Sequence, residues 1–178
     1  MLNLTLRPLE VAPEVELSAL QRVAFSEYEP SLRLAEVLAS EAASRVDKTN
    51  SHVQAKFGIA AFRGDVLVGW TQGHHEGANQ FYMLNSGVAA AERRRGVYSL
   101  MVRAVLEHAK SQGYATVRSR HTATNSGVII AKLQLGFQVS GFEYSEVYGP
   151  LVQLTHLVSE ARRTLYRDRT VPLRAASR

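Results

Sequence analysis

Apolar residues recur along this chain with two different periods, and the switches between them mark out the elements. Met1 to Pro8 alternates apolar and polar residues and predicts a strand. Pro13 to about Tyr28 changes to helical spacing, with Leu17, Leu20 and Ala24 on one face and glutamates in the first turn. Pro30-Ser31 interrupts that pattern. Ser31 is then the N-cap of a second helix to about Val46, on which Leu34, Val37, Leu38 and Glu41 share a side. After a polar break over 47–51, alternation returns from Val53. Phe57, Ile59 and Ala61 are expected on one face of a strand ending at Arg63-Gly64-Asp65, and Val66, Val68 and Trp70 on one face of the next. A turn at His74-His75-Glu76-Gly77 leads to a third strand from Gln80 through Tyr82, Leu84 and Ser86 to Val88.

The next helix has an apolar stripe of Val97, Leu100, Met101, Ala104, Val105 and Ala109, an exposed Arg103 and Glu107, and Gly113 where a terminating glycine belongs. Tyr114 to Thr122 is a strand. Asn125 opens a short helix carrying Ile129, Leu133 and Leu135, and Gly136 closes it. Phe137 to Tyr148 and Leu151 to Val158 read as two strands joined at Gly149-Pro150, and a short tail helix from Ser159 loses its pattern at Val171-Pro172. The order is strand, two helices, three strands, helix, strand, helix, two strands. Strand, helix and strand around residues 80–122 imply one parallel pair inside a mostly antiparallel sheet, an α+β fold with a mixed sheet.

Between the third strand and its helix lies the most distinctive stretch, Ala90-Ala-Glu-Arg-Arg-Arg-Gly-Val-Tyr-Ser99. Gly96 allows a tight turn and close approach of a ligand. The helix start offers unpaired N–H groups and a positive dipole end, and Arg93, Arg94 and Arg95 add full charges. A diphosphate is the anion that such a turn suits.

At 178 residues the chain fits one domain: an N-terminal strand and two helices over 1–52, a core over 53–158 and a basic tail over 159–178. Cysteine is absent, which removes disulfides, thiolate metal sites and a cysteine nucleophile, and makes a cytoplasmic setting the expectation. No signal peptide and no membrane span are expected. Net charge is +5, with a pI near 9.7. Much of the excess sits in the 93–95 cluster and in Arg162, Arg163, Arg167, Arg169, Arg174 and Arg178, with no nucleic-acid motif beside them. A phosphate-bearing small ligand and a solvated tail account for the two clusters, so no nucleic-acid partner is expected.

Arg93-Arg-Arg-Gly-Val-Tyr98, the asparagine-led helix Asn125 to Gly136-Phe137 and the hairpin text Gly64-Asp-Val-Leu-Val-Gly-Trp70 resemble the GNAT superfamily of acetyl-CoA-dependent N-acetyltransferases. The resemblance covers roughly residues 53–142. It implies that the two parallel strands splay apart, with the pantetheine arm of acetyl-CoA between them. Val88 and Ala90 would pair with that arm through their backbones, amides from Arg94 to Ser99 (Gly96, Val97 and Tyr98 included) would bind the diphosphate, and Asn125 would touch the arm. Tyr98 stands where the family usually has Gly or Ala. Lys132 stands where many members have a tyrosine that protonates the departing thiolate, and Tyr82 where some have a glutamate base. Dimers are common among such proteins, so a homodimer is possible here.

The reaction so implied needs a neutral amine to attack a thioester, although an alkylamine has a pKa near ~10.4 in water. His121 is the first candidate base, since histidine titrates in a useful range; the alternative is a hydrogen-bonded structural histidine. Tyr82 either relays a proton through water or is core. Lys132 either neutralises phosphate or covers an exposed helical face. His74, His75 and Glu76 form a hairpin tip, and Glu36, Glu41, Glu143 and Glu146 either draw in a cationic amine or are merely solvated. The expectation is acetyl transfer from acetyl-CoA to a small-molecule amine, with a catalytically silent acyl-CoA-binding module as the alternative.

Overall fold

A computed structural model describes residues 3–26, 33–34, 36–37, 39, 56–77 and 79–170. The elements are β1 (Thr5–Pro8), α1 (Glu14–Phe25), β2 (Lys56–Arg63), β3 (Val66–His75), β4 (Gln80–Val88), α2 (Val97–Ser111), β5 (Thr116–Thr122), α3 (Ser126–Gln134), β6 (Gln138–Ser145), β7 (Gly149–Leu157) and α4 (Glu160–Thr170). Helix 31–46 lies outside the described residues, except that 33–34, 36–37 and 39 are helical; the break at 47–51 and the end of the tail from Val171 also lie outside them.

The seven strands form one sheet in the order β1-β2-β3-β4-β5-β7-β6, antiparallel throughout except for the β4/β5 pair. The last strand in sequence thus inserts between β5 and β6, which the order of elements did not reveal. Neighbouring residues of β2 are buried on opposite faces. Ala60 and Phe62 meet Leu17 and Leu20 of α1, while Ala61 meets Val97 and Met101 of α2. Helices cover both faces, so these strands are buried on both sides.

Two bulges alter the expected faces. Ala61 pairs with Gly69 and Phe62 with Leu67, which leaves Val68 as an extra residue. Val68 therefore packs on α2 while Trp70 points to α1, where its ring meets Phe25 edge-on at 5.9 Å. The expected shared face of Val66, Val68 and Trp70 is corrected, and Val66 is exposed. Likewise Gln72 pairs with Asn85 and Gly73 with Met83, leaving Leu84 extra. Met83 packs on the α2 side, whereas Asn85, two residues on, accepts from Trp70 Nε1 at 3.0 Å on the α1 side. A bulge bends its strand and increases its twist.

Helix α2 buries Val97, Met101, Val102, Val105 and Ala109, with Leu100 and Ala104 at the margin of the expected stripe. It ends as Gly113 predicts: Gly113, at φ 75°, donates to Lys110 O at 3.2 Å and Tyr114 donates to Ala109 O at 2.9 Å. One tail arginine, Arg163, is half-buried and not fully solvated as expected, and a second, exposed, makes an ion pair. Arg163 donates to the carbonyls of Leu157 and Val158, and Arg167 pairs with Glu160. Among the described residues, no helix is long and apolar enough to cross a membrane.

Candidate active site

The parallel ladder between β4 and β5 covers Gln80–Tyr82 against Thr116–Arg118 and stops there. The Leu84 bulge comes at once, so β4 bends away while β5 stays paired to β7 through Thr122. The result is a fork between two strands, open from Met83 and Ser119 onward. A cavity of about 900 Å³ occupies it. Its walls come from α1 (Phe25), β4 (Met83), α2 (Tyr98), α3 (Val128), β6 (Glu143) and the Tyr148 turn, among others.

One arm of the fork leads into the arginine turn. Ala89 N–H closes onto Val68 O at 2.9 Å, and a 3₁₀ turn then runs over Ala90–Glu92. Ala90 is thus not a strand residue, and its carbonyl accepts from Arg93 N; the expected strand-like pairing of Ala90 with a pantetheine arm is corrected, since the chain has already turned there. Val88 is the last residue of β4, and its carbonyl accepts from Arg93 Nε at 3.3 Å. Arg94 and Gly96 both have positive φ, 63° and 80°, and no side chain caps the helix beyond them. The amides of Val97, Tyr98 and Ser99 are therefore the first of α2, where a helix has no internal acceptors. Arg93, Arg94 and Arg95 are all exposed beside them. Glu92 keeps this turn in place: Arg63 grips its carboxylate at 2.8 and 2.7 Å and holds it below the ordinary carboxylate range.

Two polar clusters flank the fork on opposite faces of the sheet. On the α1 face, Arg120 Nε donates to the Tyr82 hydroxyl at 2.9 Å and its NH1 donates to Glu143 at 3.0 Å. Gln153 donates to the other Glu143 oxygen at 2.7 Å and accepts from Arg118 at 2.8 Å. Partial burial, the largest influence on Glu143, pushes its carboxyl up, but the hydrogen bonds from Arg120 and Gln153 and the charges of Arg120 and Arg118 together bring it below its ordinary value. Glu143 is thus an ion-paired wall of the cavity and not a solvated strand residue. Tyr82 is at this fork, as its place before the bulge requires, but it is a hydrogen-bonded member of a network.

On the α2 face, Lys132 is fully buried. Its Nζ donates to Ser119 Oγ at 2.6 Å and to Met83 Sδ at 3.3 Å, and lies 4.5 Å from the centre of the Phe137 ring. The expectation of a lysine covering an exposed helical face is corrected: α3 turns this residue inward, where it is fully buried. Burial pushes the amine down to about 7. His121, two residues after Ser119 on β5, places Nε2 3.0 Å from the same Oγ. Burial first, and then the Lys132 charge, lower His121 to about 3. It therefore does not titrate in the range that made it attractive as a base. A base of pKa ~3 lies about 7 units below an alkylammonium, a mismatch of roughly 10 kcal/mol.

Asn125 caps α3, its Oδ1 accepting from Val128 N at 3.3 Å, and it lines the cavity. Tyr98 lines it too, and burial raises its hydroxyl well above the usual phenol value. His74 and His75 are the last residues of β3, packed near the rings of Tyr82 and Tyr114 and not at a turn tip. Ser119 and Arg120 were not singled out by sequence; only their i, i+1 placement on a strand that borders the fork marks them.

The model of the Acetyltransferase (GNAT) family matches residues 16–137. The chain belongs to the GNAT acetyltransferase family. Among curated proteins none matches. Solved GNAT-type structures share the fold. The ribosomal-protein-S18-alanine N-acetyltransferase of Escherichia coli is 13% identical, with a TM-score of 0.65 over 88% of this chain and 94% of that one. A GNAT acetyltransferase of Elizabethkingia anophelis with acetyl-CoA bound is 13% identical, TM-score 0.62, over 88% and 99%. An acetyltransferase of Bacillus subtilis in complex with CoA is 18% identical, TM-score 0.63, over 86% and 98%. GNAT members bind acetyl-CoA or CoA, and this GNAT chain is an acyltransferase that uses it.

The residues present fit that donor. An uncapped helix start, a turn with left-handed Arg94 and Gly96 and three exposed guanidinium groups suit a diphosphate, and the open edge of β4 beyond Met83 offers backbone groups to an extended amide-bearing arm. Acetyl-CoA supplies the activated acetyl thioester.

Proposed function

We propose that this chain acetylates a primary amine of a small-molecule acceptor that enters the fork from the α1 and β6 side. The observation that carries the reading is the Tyr82–Arg120–Glu143 cluster in the cavity wall, with Glu143 held ionised there. An ionised carboxylate draws in an ammonium group. Tyr82, whose hydroxyl accepts from Arg120, keeps its own hydrogen to donate to water or substrate, so an ordered water beside it can take the amine proton. The backbone N–H of Val88 is our candidate donor to the developing oxyanion, worth roughly 3 kcal/mol by comparison with other such donors. Alignment of the two reactants in one cavity supplies much of the rest.

One observation favours a silent acyl-CoA-binding module instead: the basicity of His121 is suppressed, which removes the most obvious base. Thiol release from acetyl-CoA, measured over a panel comprising an arylethylamine, a polyamine, an amino sugar and a peptide amine, separates the two. Acetylated amine identified by mass supports the transferase. Tight CoA binding by calorimetry with no transfer to any amine favours the module. Within the transferase reading, Glu143→Gln raises the KM for the amine several-fold and leaves CoA affinity unchanged.

A further inference from the structure

The α1 face of the fork holds more hydrogen-bond donors than its own cluster uses. Of the five N–H hydrogens of Arg120, the one on Nε goes to the Tyr82 hydroxyl and one on Nη1 goes to Glu143, so three have no partner among the described residues. Asn85, on the other arm of the fork, is held in one orientation by Trp70. An indole N–H only donates, so the atom it meets at 3.0 Å is Oδ1, and the Nδ2 hydrogens of this cavity-lining residue have no partner among the described residues. Glu143 is the single carboxylate of the cluster, and its two oxygens already accept from Arg120 and Gln153. Two guanidinium groups act on it, Arg120 directly and Arg118 through its charge. The face thus carries one unmatched positive charge and a surplus of donors, which an amine by itself leaves to water.

We propose that the acceptor is an α-amino acid with an apolar side chain, its carboxylate bound by Arg120 and Asn85 and its ammonium group drawn in beside Glu143. The inference rests on the proposed function and names the substrate class of that same site. Arg120 and Glu143 are opposite charges 3.0 Å apart. A ligand that answers both must hold an ammonium and a carboxylate equally close together, as the two groups on one Cα are. A planar guanidinium matches the two oxygens of a carboxylate, and one unmatched charge suits a monoanion. Phe25 of α1, Leu84 of β4 and Leu151 of β7 give the same cavity apolar wall for the side chain. The ammonium gives one proton to water before it attacks and a second as the N–C bond to the acetyl carbon forms. The C–S bond breaks with its electron pair on sulfur, and the thiolate takes one proton back from water. The products are the N-acetyl amino acid, CoA and one released proton. A peptide N-terminus, an amino sugar and a polyamine lack a carboxylate beside the amine and are poor acceptors on this reading.

Matched acceptors test this with the full chain and acetyl-CoA, each amino acid beside the amine that lacks only its carboxylate and beside its amide. The sets are L-phenylalanine, phenethylamine and L-phenylalaninamide, then L-leucine, isoamylamine and L-leucinamide. The expected result is a kcat/KM for the acid about tenfold or more above both of its partners. The amide has the less basic nitrogen, so a preference over it does not come from a larger neutral fraction of the acid. Arg120→Gln brings the ratio of acid to amide to about 1, chiefly through the KM of the acid. Asn85→Asp keeps an oxygen for Trp70 Nε1 and sets a negative charge at the carboxylate's place, so it lowers the same ratio and stands in if Arg120→Gln does not fold. Equal kcat/KM within each matched set, or a ratio undiminished in the folded variants, overturns the inference and leaves the transferase standing. CoA binding without transfer to any amine overturns both.

Discussion

The Phe137 ring stands 4.5 Å from Nζ of Lys132, and the Phe137 N–H donates to the Lys132 carbonyl at 3.0 Å. One turn therefore ends α3 and covers the buried amine. Gly136 makes this possible, because φ of 85° is a left-handed conformation that costs other residues free energy. A Cβ there would meet only His156, at an ordinary 3.6 Å, so the penalty is one of backbone and not of space. Gly136→Ala is expected to lose about 1–2 kcal/mol in urea unfolding. It should also shift the Lys132 titration, since the cover over the amine is disturbed.

Burial of Lys132 links stability to alkaline pH. Folded, the amine titrates near 7; unfolded, near its ordinary 10.5. Between those values the unfolded chain binds more protons, so stability rises with pH, by about 1.4 kcal/mol per unit for this one group. Stability is fullest above 10.5 and is lost as pH falls toward 7. Urea titrations of wild type and Lys132→Met at pH 7 and pH 9 give the contribution by difference. The variant is the more stable at pH 7, and the gap narrows at pH 9.

Gly87 lies beneath Trp70, and an added Cβ would strike the indole and crowd Ala24 of α1. Trp70 is fully buried and cannot yield without moving α1. Gly87→Ala is expected to cost about 3 kcal/mol or to prevent folding, read as a lowered Tm with a red-shifted emission from the single tryptophan.

Arg94 combines an exposed charge with a strained backbone, φ 63°. Arg94→Gly relieves the strain and removes the charge. Calorimetry with CoA should show about fivefold weaker binding, with a smaller salt dependence, while the Tm of the free protein is unchanged or slightly higher.

Much of this was legible in the chain itself. Gly113 and Gly136 ended their helices where helical spacing ran out, and Asn125 capped the helix it opens, because caps are local chemistry. The arginine turn was visible for the same reason. The faces of β3 and β4 were not. Val68 and Leu84 are extra residues against their partners, and a bulge leaves no mark in an alternating pattern until the neighbouring strand is present to count against. Lys132 looked exposed because lysines on short helices usually are.

Element order, helix ends, the basic turn and membership in a mixed α+β fold were thus determined by the sequence alone, since each depends on residues a few positions apart. Which strands part company, which face Tyr82 and Lys132 take, and which of His121, Ser119 and Glu143 they meet were decided only in the tertiary structure. The reason is that β4, β5, β6 and α3 meet across dozens of residues of chain, and a proton's place in such a cluster depends on distances of about 3 Å that no local pattern encodes.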